Sequence, residues 1–327
     1  MTMFEYSSAI DVYEKVLSFD KNNTIARDNL LEARHKKSIE GKLAEERLET
    51  EFTKLVISAD EDFQNQDDAA LITMGTKLAL LLSKCINVRY GLTKTCIQVV
   101  SAHLTLGTVN EALDWVDKIN IKVNVSPIKE RLLEIREIQG EGDFILEDIQ
   151  DDYMLNRLAA LYKTLLSYRK AISIYQRSLH INKDNIYTYN GIGGNYKELG
   201  QYDVAIDYYT KGYKTRSNYA SLNGIGAAYR KKGNHNDALN FYNEVLENNP
   251  SNKFANNGIG AVYFDLGMYD IGSQYFNVAA DAKHLLGLFY EYRDNSQLDT
   301  ALECLKLILR KDPGHSKASY LIRHYCN

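Results

Sequence analysis

Three strings decide how the chain folds: Asn190-Gly-Ile-Gly-Gly-Asn-Tyr196, Asn223-Gly-Ile-Gly-Ala-Ala-Tyr229 and Asn257-Gly-Ile-Gly-Ala-Val-Tyr263, at intervals of 33 and 34 residues. Each is followed four residues later by a glycine (Gly200, Gly233, Gly267). Five further on stands a small residue (Ala205, Ala238, Gly272), and four beyond that an aromatic (Tyr209, Tyr242, Phe276). Ile192, Gly193 and Tyr196 share one helix face, because residues three and four apart lie above one another. Glycine on that face lets a second helix come close, and Ala205 and Tyr209 fill the facing surface. The glycine between the two helices takes a turn conformation that a side chain resists. Pro250 and Pro313 sit where a new helix pair is about to begin.

These residues resemble the tetratricopeptide repeat family, whose unit is a helical hairpin of about 34 residues. The resemblance implies an all-α, right-handed superhelical solenoid of helix-turn-helix repeats. Two weaker copies flank the clear three. Leu155, Leu158, Ala159 and Tyr162 lead into Ala171, Tyr175 and Ser178 without a turn glycine, and Leu288 and Tyr292 lead into Ala301, Leu305 and Pro313. From Ser316, the apolar Ala318, Leu321, Ile322 and Tyr325 oppose Lys317, Arg323 and His324, as a terminal capping helix requires. The expected organisation is a divergent acidic region over 1–152, a regular array over 153–315 and a cap over 316–327.

The first half is less regular. Ala9, Tyr13 and Val16 read as a second repeat helix, and Cys96, Val99, Val100, Gly107, Ala112 and Val116 as another match. Residues 24–58 read as one or two long charged helices with a break at Gly41, and Asp60-Glu-Asp with Asp67-Asp68 as a loop. That loop lacks the turn glycine and closing glutamate of a calcium site. Ser126-Pro127 reads as a helix start, and the acidic stretch Glu141–Asp152 as the joint between halves. A helix at residues 6–23 has no first-helix partner, so Ala9, Ile10, Tyr13 and Leu17 form an apolar stripe. Either a second copy covers it, making a homodimer, or the long helix beyond Thr24 folds back on it.

Composition limits what the chain does. It has 327 residues, 45% apolar and 25% charged, with only three prolines, which suits a packed helical protein. Four cysteines (Cys85, Cys96, Cys304, Cys326) are too scattered for a disulfide framework or zinc site. No secretory signal pattern or membrane-length apolar run occurs, so a cytoplasmic protein is expected. Seven histidines show no paired ligand spacing, so no metal or cofactor is expected, and no catalytic constellation emerges. Arg310 and His315 flank Asp-Pro-Gly, the turn between repeats, and read as structural. The net charge of -4 divides into -10 over 1–152 and +6 over 153–327. Lys211, Lys214, Arg216, Lys231 and Lys232 fall in a window without acids and mark a patch for an anionic partner.

The resemblance also implies a peptide-binding groove lined by the first helices. Its positions are Tyr187, Asn190, Gly191, Gly194 and Lys197 in one copy; Ala220, Asn223, Gly224, Ala227 and Arg230 in the next; and Phe254, Asn257, Gly258, Ala261 and Phe264 in the third. An asparagine amide both donates and accepts, so a ladder of them suits a peptide backbone; Lys197 and Arg230 would hold a carboxylate. Six glycines inside three helices cost about 5 kcal/mol against alanine. Gly193, Gly226 and Gly260 are explained by packing. Gly191, Gly224 and Gly258 read either as a flat floor for a ligand or as relief for packing between repeats. Ala220 and Phe254 replace basic residues of the family's chaperone-tail clamp, which disfavours that ligand. The expected function is a non-enzymatic scaffold or adaptor for a protein or peptide partner. One rival is RNA binding, since Thr188-Tyr-Asn-Gly-Ile also resembles a pentatricopeptide repeat; the other is a regulatory or assembly subunit.

Overall fold

A computed structural model describes residues 9–15, 24–84, 92–119, 125–139, 146 and 149–326. They form helices joined by short turns, and no strand occurs among them. The chain divides into two compact units, residues 1–144 with 164–167 and residues 145–163 with 168–327.

In the first unit, residues 9–15 are helical (α1), followed by α2 (Thr24–Gln64), α3 (Asp68–Lys84), α4 (Leu92–Thr105), α5 (Val109–Ile119) and α6 (Ser126–Gln139). One helix of 41 residues, about 60 Å long, replaces the expected break at Gly41 and the loop at residues 60–62. Only residues 65–67 turn, with Gln66 at φ 59° in the left-handed region. Nothing in the charged sequence interrupts hydrogen bonding along α2, and one glycine costs a helix only about 1 kcal/mol. The α4–α5 hairpin matches its expected register: Cys96, Val99, Val100, Ala112 and Val116 are fully buried, and Gly107 turns at φ 78°. Trp115, the single tryptophan, donates its indole N–H to the Gly75 carbonyl at 2.8 Å. Gly75 is small enough to let Val99 and that indole lie against α3.

The second unit runs α7 (Asp152–Thr164), α8 (Tyr168–Ile181), α9 (Ile186–Glu198), α10 (Tyr202–Thr215), α11 (Tyr219–Lys232), α12 (His235–Asn248), α13 (Lys253–Asp265), α14 (Tyr269–Ala279), α15 (Ala282–Asp294), α16 (Leu298–Lys311) and α17 (Ser316–Cys326). Adjacent helices pair into hairpins, giving a helical-repeat solenoid. Each first helix begins on a side-chain cap. Asp151, Asn185, Asn218, Asn252 and Asp281 accept from the backbone N–H two or three residues on, and His315 Nδ1 does so for Ala318. Such caps are each worth about 1 kcal/mol. His315 therefore has the structural role its place in the turn implies.

Turns inside the hairpins use one backbone conformation. Gly200, Gly233 and Gly267 lie at φ 75°, 87° and 72°, and Leu166 and Ser296, both at φ 61°, take the same place in the two copies lacking glycine. Across each regular hairpin an aromatic pair stacks: Tyr196 on Tyr208, Tyr229 on Phe241 and Tyr263 on Tyr275, with centroids 5.6–5.8 Å apart. Stacks of this kind add about 0.5–1.5 kcal/mol beyond burial. At the far end, α17 lays Ala318 and Leu321 against a core of Phe289, Tyr292, Leu305 and Ile308.

Candidate functional site

The first helices α9, α11 and α13 present the residues expected to line a groove, and the structure divides them. Tyr187 is 77% exposed. Asn190, Gly191, Lys197, Asn223, Gly224, Ala227, Asn257 and Gly258 are half-buried. Gly194, Ala261 and Phe264 are buried, the last two at 3% and 1% exposure, and belong to the core rather than a surface. The next hairpin packs over that end of α13: Phe264 meets Tyr269 and Phe276 edge to face, at 5.2 and 4.9 Å. Over Gly194 lies the Lys163 amine, 2.9 Å from where a Cβ would stand.

The floor glycines are accounted for by their neighbours. A Cβ on Gly191 would stand 2.5 Å from the Tyr175 ring, one on Gly224 2.4 Å from Tyr209, and one on Gly258 2.2 Å from Tyr242. Each ring comes from the second helix of the preceding repeat. Gly193, Gly226 and Gly260 receive the aromatic of their own repeat, Tyr209, Tyr242 and Phe276, at 2.8–3.0 Å. Tyr209 and Tyr242 thus lie between two glycines each, one from either neighbouring first helix. Of the two readings of Gly191, Gly224 and Gly258, packing between repeats explains the missing side chains without a ligand. Burial pushes the Tyr175 hydroxyl pKa up to about 12 and those of Tyr209 and Tyr242 higher still, so all three stay neutral.

The asparagine ladder also turns inward. Asn190 Oδ1 accepts from Ser221 Oγ at 2.7 Å, and its Nδ2 reaches the cap residue Asn218 at 3.5 Å. Asn156, one repeat earlier in the same register, accepts from Thr188 Oγ1 at 2.8 Å. Asn223 Nδ2 donates to Asn252 Oδ1 at 3.3 Å, but its Oδ1 is buried with no hydrogen-bond partner. The reason is one residue: Ala255 stands where the earlier junctions have Thr188 and Ser221. Ala255 is fully buried, and serine adds one oxygen there. Ala255→Ser supplies the missing donor and raises stability by about 1 kcal/mol, read as a higher urea midpoint at unchanged m-value. An Asn223→Ala background removes that gain.

Arg230 is a correction. Its side chain, 9% exposed, does not await a ligand carboxylate but holds two of the chain's own. Nη1 lies 3.1 Å from Asp265, and Nη2 2.7 Å from Glu291. Lys231 joins at Glu291 (2.7 Å), and the Tyr292 hydroxyl donates to Asp265 (2.7 Å). Burial opposes ionisation of Glu291, but the Arg230 and Lys231 charges outweigh it and hold the carboxyl below its usual range. The network spans three successive first helices, α11, α13 and α15. Lys197 pairs with Glu198 at 3.0 Å.

The basic patch is likewise largely spoken for. Lys211 pairs with Asp207, Lys231 with Glu291 and Lys232 with Asp203. Lys214 and Arg216 remain exposed, without a carboxylate partner among the described residues. Of the N-terminal stripe, Ala9, Ile10 and Tyr13 are half-buried, while Leu17 lies outside the described residues. Glu14 pairs with Arg34 of α2 at 2.7 Å, so α2 folding back is the covering with an observed contact. The acidic stretch 141–152 is mostly outside the described residues too. Cys96 and Cys304 are buried thiols with pKa pushed up to about 12 by burial, and Cys85 lies outside the described residues. Among the described residues no helix is long and apolar enough to cross a membrane.

One position of the exposed surface, Tyr153, was not among the expected groove residues, whereas Tyr187 and Phe254 were. Tyr153, Tyr187 and Phe254, each three residues before a ladder asparagine, are 75%, 77% and 76% exposed. Tyr153 and Tyr187 flank a cleft of about 710 Å³, lined also by Asp152, Asn156, Arg157, Tyr175 and Asn185. The signal was an aromatic at the same position of three repeats, interrupted by Ala220 in the copy between Tyr187 and Phe254.

Hairpins, caps and turns together define a helical-repeat protein. Family models described as tetratricopeptide repeat match residues 186–219 and 219–252. Residues 186–252 thus carry tetratricopeptide repeats, a repeat that typically builds non-catalytic protein-interaction scaffolds. Solved structures similar to the chain include YrrB, described as a TPR protein with an unusual peptide-binding site, at 20% identity over 54% of this chain and 94% of that one, with a TM-score of 0.35. TTC0263, a thermophilic TPR protein of Thermus thermophilus, is 18% identical over 53% and 98%, with a TM-score of 0.42. MamA of Desulfovibrio magneticus is 12% identical over 58% and 94%, with a TM-score of 0.35. No curated protein matches the chain by sequence.

Proposed function

We propose that the chain is a non-enzymatic scaffold that holds an extended peptide segment of a protein partner along the first-helix face of α7, α9, α11 and α13. The observation that carries this reading is the exposed aromatic column Tyr153, Tyr187 and Phe254. Large aromatics kept in solvent at the same position of three repeats, with Ala220 in the copy between Tyr187 and Phe254, bury little area in the fold, whereas aromatic anchors supply most of the energy at protein interfaces. Beneath them, the asparagines and N-caps hold the helix starts rigid, which lowers the ordering cost of binding.

The test compares wild type with a Tyr153→Ser/Tyr187→Ser/Phe254→Ser variant as baits in native lysate, with and without ribonuclease. Surface substitutions of this kind shift stability by about 0.5 kcal/mol or less each, so melting curves nearly overlay. A protein retained by wild type after ribonuclease and lost from the variant supports the scaffold reading. Material lost on ribonuclease treatment supports RNA binding instead, and identical partners on both baits place the working surface elsewhere.

A further inference from the structure

Resting on that reading and narrowing it, we propose that Lys163, Lys197 and the Tyr209 hydroxyl form an oxyanion subsite over Gly194, and that it takes a carboxylate or phosphate group of the bound segment. Geometry is the first argument. The Lys163 amine and the Tyr209 hydroxyl lie 2.9 and 3.5 Å from the point where a Cβ on Gly194 would stand. Groups that close to one point are within reach of the oxygens of a single oxyanion. At the place of Gly194, α7, α11 and α13 have Ala160, Ala227 and Ala261; a methyl on α9 would stand against the amine. Lys163 is half-buried, yet it makes no hydrogen bond or ion pair with a described residue. Tyr209 is 6% exposed, and its hydroxyl also has no partner among them. An ammonium drawn out of water without a partner is costly. Burial accordingly pushes the Lys163 pKa down, with Glu198 opposing that shift and Lys197 adding to it.

The second argument is that the chain holds a filled version of the same arrangement. Counted from their N-caps, Lys163, Lys197 and Arg230 are the twelfth residues of α7, α9 and α11. Arg230 receives Asp265, the thirteenth residue of the next first helix, and Glu291, the tenth of the one after. The counterparts for Lys163 are Glu198 and Ala228, and for Lys197 they are Lys231 and Val262. Two lysines therefore share one carboxylate, and Glu198 lies 3.0 Å from Lys197. Arg230 has two to itself. One positive charge is left over at Lys163, and an oxyanion from outside balances it as Glu291 helps to balance Arg230. The Glu198 side chain is 41% exposed, so water weakens its repulsion of such a ligand.

The experiment follows the lysine Cε carbons of the isotope-enriched, full-length chain by NMR. Sodium phosphate and sodium acetate are titrated separately at constant ionic strength, with chloride making up the balance. The signals are assigned by their loss in Lys163→Met and Lys197→Met. Lys163 and Lys197 are expected to shift saturably, with a midpoint of about 1–10 mM. The Lys163 midpoint weakens at least about fivefold in Lys197→Met. The anion with the lower midpoint names the group on the segment. Exposed Lys317 reports general ion screening, and a Lys163 shift no larger or more saturable than that of Lys317 overturns the proposal.

Urea melts in chloride separate a ligand lysine from a structural one. Lys163→Met leaves the midpoint unchanged or raises it, because an unpaired half-buried charge is removed. A lowered midpoint shows that the fold itself uses the amine and overturns the proposal. Fluorescein-labelled oligouridine that binds wild type and is lost in Lys163→Met assigns the subsite to nucleic-acid phosphate and overturns its peptide assignment. Free anions need no partner protein, so a negative result here is distinct from a negative result in the lysate test.

Discussion

Replacing Arg230 by methionine lowers the unfolding free energy by about 3 kcal/mol, the lower end of what removing one partner from a buried ion pair costs. Two features set that level. Asp265 and Glu291 lose their shared guanidinium while their side chains are only 17% and 29% exposed. Against this, Tyr292 still donates to Asp265 and Lys231 still reaches Glu291. Arg230→Lys gives an intermediate loss, because an ammonium cannot fork to two carboxylates from one position. The effect depends on pH with a definite sign. Glu291 has its folded pKa depressed, so its contribution is complete above the ordinary glutamate pKa of about 4.3 and fades as pH falls through the lower folded value. In Arg230→Met the opposing burial acts with one fewer positive charge, so Glu291 takes up its proton at a higher pH. The stability gap between wild type and variant is therefore widest near neutrality and narrows below about pH 4. Urea melts from pH 3.5 to 7 check it, and a gap independent of pH removes the network as its source.

The hairpins were readable in the sequence because their signals are local. The turn residue at φ 72–87° demands glycine in the clear copies, and the paired small and aromatic residues follow from helix geometry alone. Leu166 and Ser296 show that the turn tolerates a side chain at modest cost, so the flanking copies were found through their apolar register instead. The groove was less readable because a face defined on one helix is shared with the next repeat. Which of Asn190, Asn223 and Asn257 is satisfied depends on the residue at the following junction, Ser221 for the first and Ala255 for the second. Arg230 reads as a free cation until Glu291, sixty-one residues later, is brought beside it. Along α2, charge patterning distinguishes helix from solvent but carries no signal for where a long helix stops; Gly41 was a weak breaker in a strong run.

Gly258→Ala and Gly287→Ala change stability in opposite directions, although both place one methyl on the sixth residue of a first helix. In an open helix, alanine is favoured over glycine by about 0.8–1 kcal/mol. Gly287 is that case: it is exposed, and nothing lies within 4 Å of its missing Cβ. Its replacement raises the unfolding free energy by up to about 1 kcal/mol. At Gly258 the new methyl would stand 2.2 Å from Cζ of Tyr242, a ring only 3% exposed that Gly226 confines from the other side. Overpacking of this kind costs about 1–3 kcal/mol, and the two helices must separate to relieve it. The net expectation is a loss of about 2 kcal/mol, seen as a lower urea midpoint. Adding Tyr242→Leu to Gly258→Ala costs less than the two single changes together, because the smaller side chain makes room for the methyl. If Gly258→Ala stabilises the protein instead, the ring does not rest on the backbone there. Three costly glycines would then lack a packing explanation, and a closely approaching ligand would again be the reason for them.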